Sequence, residues 1–143
     1  MKKLILTLMG LFPIVLGYLM NYFINMTLFI IIYVTVWIIW FIFGMLSIKL
    51  VDRKIASVLL LNSPALGFLL LALYQQITLG QFWFNIFGTL PQIFYVPFIV
   101  VGFMITQMFH QEIDVLFYIA AFVVSFICML IASFIGRLVG ENL

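Results

Sequence analysis

The chain has 143 residues, of which 68% are hydrophobic and only 7% charged, with a formal net charge of +2. Soluble domains carry charge on about a quarter of their residues, and a water-soluble core of this length could not enclose so much apolar surface, so the bilayer must be the solvent. Six basic and four acidic residues, scattered along the chain, exclude a nucleic-acid footprint, and the single cysteine, Cys128, excludes an internal disulfide and a thiolate metal centre.

The first apolar run begins behind Lys2 and Lys3, in the manner of a signal peptide, but reaches Met20 without a small-x-small cleavage pattern and is followed almost at once by a second run. An uncleaved span over about 4 to 22 is therefore expected. It contains Gly10, Pro13 and Gly17, and Pro13 removes the partner of the Met9 carbonyl, which predicts a local kink.

A second span, about 27 to 48, stops at the one charge cluster of the chain, Lys49 to Lys54. Within it Tyr33, Trp37, Trp40 and Gly44 follow helical spacing and share one face. Tryptophan prefers the membrane interfaces, so Trp37 and Trp40 near mid-span predict either an aromatic packing ridge or the wall of a pocket for an apolar or lipid-like ligand. The third span, about 55 to 74, carries Asn62, Ser63 and Pro64. Pro64 frees the Leu60 carbonyl, and the Asn62 carboxamide needs a hydrogen-bond partner, worth about 0.6 to 2 kcal/mol between membrane helices.

The connection that follows is polar and aromatic at once. Gln75, Gln76, Gln81, Trp83 and Asn85 predict an outer segment lying at the headgroup level, where aromatic rings are favoured. A fourth span over about 88 to 107 places Gly88, Gln92, Tyr95, Ile99, Gly102 and Thr106 on one small or polar face, which must turn toward protein or water. Asn62, Gln92 and Tyr95 are accordingly the candidate ligand-binding residues, with Trp37 and Trp40 beside them.

The turn His110, Glu112 and Asp114 has potential metal ligands but lacks the i, i+4 helical geometry of a zinc site. It reads as a solvated turn with Asp114 capping the last helix, and no catalytic residue, metal site or cofactor is expected. In the fifth span, about 114 to 136, Ala121, Ser125, Cys128, Ala132 and Gly136 form a seam of small side chains, the pattern by which helices associate closely in lipid.

Lys2, Lys3, Lys49, Arg53 and Lys54 fall on one side if the amino terminus is cytoplasmic. Five spans leave Arg137 on the other side; four spans plus a re-entrant 88 to 107 segment bring it to the same side. The expectation is a single-domain, all-α bundle of five transmembrane helices over residues 1 to 143, with the re-entrant arrangement as the alternative. The Ile- and Phe-rich, Ala-poor composition suggests a bacterial plasma-membrane protein. Its expected role is that of a non-enzymatic accessory or interaction subunit, in contact with lipid and with a membrane-protein partner or a second copy. Binding or permeation of an apolar or neutral solute is the alternative.

Overall fold

The computed structural model describes residues 1–23, 29–80, 86–109, 112 and 115–143. Among them seven α-helices follow one another: α1 (Lys2–Met9), α2 (Phe12–Phe23), α3 (Phe29–Leu46), α4 (Lys54–Leu79), α5 (Ile86–Tyr95), α6 (Ile99–Gln107) and α7 (Val115–Glu141). No strand occurs among the described residues.

Among the described residues four stretches are long and apolar enough to cross a membrane: Lys2–Tyr22, Ile31–Lys49, Lys54–Thr78 and Val115–Glu141. The first is interrupted as Pro13 requires, by a turn at Gly10 and Leu11 in which Leu11 N–H bonds the Leu8 carbonyl at 3.0 Å. Gly10 rests on the Leu61 carbonyl of α4, where any side chain would collide. In α4 the Leu60 carbonyl freed by Pro64 accepts the Ser63 hydroxyl at 2.8 Å, so the helix continues through the proline.

The expected fourth span is not one straight helix. Residues 96–98 form a turn, and the axes of α5 and α6 meet there at 90°. Pro97 has no N–H to continue the ladder and disfavours helical geometry at Val96. Each arm is short: ten residues of α5 and nine of α6 reach about 15 and 14 Å, half of the ~30 Å apolar layer.

Side-chain register shows where the pair lies. Descending α5 runs antiparallel to α4, with Phe94 stacked on Phe68 at 4.9 Å and the Tyr95 hydroxyl donating to the Ala65 carbonyl at 2.9 Å. Ascending α6 runs antiparallel to the first half of α7: Ser125 bonds the Phe98 carbonyl, and Phe103 meets Phe117 and Tyr118 at ring distances of 5.2 and 5.5 Å. Both outer ends of the pair therefore point to the end of the bundle where α4 finishes and α7 begins, while its apex sits half-way down.

The opposite end of α7 returns to the loop before α4. Arg137 donates to the Val51 and Asp52 carbonyls at 3.0 and 2.8 Å, and Glu141 pairs with Lys54. Lys2 and Lys3 line a recess with that same loop. All six basic residues of the chain thus gather at one end. Of the two arrangements weighed from the sequence, this register matches four crossings plus a helix pair that enters and returns.

Close helix approach rests on glycines at the contacts. Gly136 faces the Phe41 carbonyl and Gly44 faces Ser133, while Gly67 has nothing within 4 Å. Gly136→Ala is expected to lower stability by about 1–3 kcal/mol through overpacking. Gly67→Ala should raise it by up to about 1 kcal/mol through helix propensity. Thermal unfolding in detergent checks the pair, and equal shifts would contradict the α3–α7 packing.

Candidate functional site

At the apex of the bent pair, Asn62, Tyr95, Ser125 and Ser133 bring buried polar groups from three elements together. Four elements supply the apex as a whole: Trp37 and Trp40 from α3, Asn62 and Ala65 from α4, Tyr95 and Phe98 from the pair, and Ser125, Met129 and Ser133 from α7. Asn62 is 1% exposed, and its Nδ2 donates to the Val58 carbonyl at 2.9 Å and to the Ser133 hydroxyl at 2.8 Å. The Ser133 hydroxyl in turn donates to the Met129 carbonyl at 2.8 Å, which also accepts the Trp40 indole N–H at 3.2 Å.

Aromatic rings close the space around these bonds. Phe98 is fully buried and meets Trp37 and Trp40 edge-on, at 5.0 and 5.4 Å between centroids. Tyr95 stacks on Phe122 at 4.9 Å. Edge-to-face and offset-stacked rings add about 0.5–1.5 kcal/mol per pair beyond burial. The sequence-predicted residues Asn62, Tyr95 and Trp40 are therefore brought together, with Tyr95 bonded one helical turn beyond Asn62 on α4.

Gln92 lies one turn before Tyr95 and is half-buried, and its Nε2 has no hydrogen-bond partner among the described residues. The single face expected from Gly88 to Thr106 is divided by the break at 96–98: Gly88, Tyr95, Gly102 and Thr106 are buried, whereas Gln92 and Ile99 are half-buried. Thr106 Oγ1 and Asn62 Oδ1 are likewise unpartnered among the described residues. Trp37, which meets Phe98 at the apex, is half-buried and also lines a shallow groove of about 450 Å³ between α3 and α7, with Val34, Ile38, Phe41, Ala132 and Ile135.

The small-residue seam is used within the chain. Ala121 and Ser125 receive Gly102 of α6, and Gly136 receives Phe41 of α3. Cys128 and Ala132, however, are half-buried, and the fully buried stripe passes through Met129 and Ser133. The reason is that α7 packs on α6 along its first half and on α3 and α4 along its second, so its inward face turns between them.

Gln75 and Gln76 belong to α4, which runs on to Leu79 and ends at Gly80, whose φ of +59° suits a residue without a side chain. Gln75 is buried and Gln76 half-buried, on the last turns of α4 rather than in a separate connecting segment. Gln81, Trp83 and Asn85 fall outside the described residues, as do His110 and Asp114. Glu112 is exposed, and no group of three metal-ligating side chains occurs among the described residues.

Arg137 enters the sequence argument only as a marker of sidedness, and its structural role is a finding of the structure. Only 2% exposed, it spends its guanidinium on two loop carbonyls and on Glu141, 3.2 Å from Nε. The four-residue spacing of Arg137 and Glu141, past the expected end of the last span, was the available signal.

These features define an all-helical, membrane-type bundle of four apolar helices, with a bent helix pair inserted between the third and the fourth. No protein-family model, no curated protein and no solved structure matches the chain.

Chemically, the apex cluster consists of neutral donors directed mainly at backbone carbonyls, which ties α3, α4 and α7 together around the break. A double-mutant cycle of Asn62→Leu and Ser133→Ala should give a coupling of about 0.6–1.7 kcal/mol, the range for hydrogen bonds between membrane helices. Strict additivity in reversible unfolding measurements would remove the Asn62–Ser133 bond from the account.

Proposed function

We propose that the chain is a non-enzymatic multi-pass protein of the plasma membrane, bacterial by its composition, that serves as an accessory or interaction subunit. The observation that carries this reading is the groove between α3 and α7. Its lining is wholly apolar, and the small side chain of Ala132 leaves a hollow between Trp37, Phe41 and Ile135. In lipid, helices associate by fit rather than by hydrophobicity, and hollows over small residues are what a neighbouring helix fills. The non-enzymatic part is supported by the apex cluster, whose hydrogen bonds are directed into backbone carbonyls rather than toward a reactive group. Basic residues gathered at one end support a cytoplasmic placement of both chain ends.

The test is assembly state in lipid nanodiscs. The wild-type chain should be recovered as a homo-oligomer or with a stoichiometric membrane-protein partner. Ala132→Leu, which fills the hollow, should release it at least ten-fold more readily, equivalent to about 1.4 kcal/mol, with thermal unfolding unchanged. A monomer without a partner, indifferent to the substitution, contradicts the reading.

A second reading, passage or binding of a small neutral solute, is favoured by Gln92 Nε2 on α5 and Thr106 Oγ1 on α6, buried polar atoms without a partner among the described residues. Proteoliposomes should then swell faster than protein-free vesicles in glycerol, and Gln92→Leu should abolish the difference. Equal swelling rates would exclude glycerol passage.

A further inference from the structure

A recess of about 550 Å³ opens at the basic end of the bundle, between the start of α1, residues 50–53 and the first turn of α4. Its volume lies within the range of about 300–1,000 Å³ typical of small-ligand sites. Lys2, Lys3 and Arg53 contribute three cations to its wall against the one carboxylate of Asp52, while Leu50 and Ala56 add apolar surface.

Charge at this end is divided between two uses. Lys54 and Arg137 are engaged by Glu141, and Arg137 also fixes the Val51 and Asp52 carbonyls that form one wall. Lys2, Lys3 and Arg53, by contrast, make no ion pair among the described residues. Arg53 also opens α4 without a side-chain cap, and no acidic residue sits in the first turn of that helix. Unneutralised cations around a rigidly backed hollow, with apolar walls on the bundle side, match a phosphate ester whose other end is hydrocarbon.

We propose that this recess binds the phosphate of an anionic phospholipid headgroup. Arg53 offers its planar fork to two phosphate oxygens, Lys2 and Lys3 add compact charges, and Leu50 and Ala56 face the glycerol and the first methylenes. Basic pockets beside membrane helices at the cytoplasmic level recognise headgroups in this way. The assignment rests on the bundle crossing a bilayer with this end at headgroup depth, and does not depend on the accessory role.

The experiment titrates the delipidated full chain with phosphatidylglycerol or phosphatidylcholine and counts bound lipid by native mass spectrometry. Phosphatidylglycerol should bind at least ten-fold more tightly, and this preference should persist in millimolar inorganic phosphate. Replacing Lys2, Lys3 and Arg53 together by glutamine should abolish it, while Lys49→Gln, outside the recess, should leave it intact. Arg53→Gln alone, the milder variant, should weaken phosphatidylglycerol about five-fold, corresponding to about 1 kcal/mol for one cation near the surface. Equal affinity for the two lipids, or a preference surviving the triple substitution, overturns the proposal. Displacement of the lipid by inorganic phosphate would show a free-anion site and overturn the lipid assignment.

Discussion

A broken backbone half-way through a membrane bundle has no water to satisfy its peptide groups, and this constraint organises the structure. The break at residues 96–98 is tolerable only if protein covers it. Ser125 supplies a donor to the Phe98 carbonyl, and Tyr95 anchors the preceding turn to Ala65. Trp37, Trp40 and Phe122 wall the apex with rings. Even the tight approaches serve it: Gly17 lets α2 press against the Ile93 carbonyl, and Gly102 lets α6 press against Ala121. The two Trp residues at mid-depth, anomalous for a span facing lipid, are ordinary once they face a covered turn.

At the basic end the same physics works with charge. A guanidinium that is 2% exposed must be paired and hydrogen-bonded, because an uncompensated buried charge is strongly destabilising. Arg137 meets that demand with two loop carbonyls and Glu141, and thereby fixes the end of α7 to the loop that opens α4. This contact places the end of α7 and the start of α4 at one end of the bundle, opposite the end where α4 finishes and α7 begins. With Lys54 drawn to Glu141, Lys2, Lys3 and Arg53 are left facing the neighbouring recess.

Much of this was legible in the residues. The apolar runs mark the four long helices, with Gly80 stopping α4 five residues beyond the expected end and α7 continuing through Arg137 to Glu141. On the face of Tyr33, Trp37, Trp40 and Gly44 all but the half-buried Trp37 are buried, and Asn62 has found its partner across the bundle. What hydropathy could not separate is a straight crossing from two half-helices, since both bury about 20 apolar residues; Pro97 is compatible with either a kink or a reversal. The seam of α7 was read as one stripe, but a helix with different neighbours along its two halves buries Met129 and Ser133 instead of Cys128 and Ala132. The sequence marks Arg137 as a topological signal, but its docking role on the loop before α4 was not legible, because the expected span ended one residue before it.

The claim on which the account turns is that α5 and α6 enter and leave at the same end. Single cysteines at Thr78, Met108 and Asn142, all exposed positions, placed in a Cys128→Ala background and labelled with a membrane-impermeant maleimide, test it directly. The account predicts that positions 78 and 108 react from one face of the membrane and position 142 from the other. Reaction of position 108 from the face opposite to position 78 would mean a fifth crossing and contradict it.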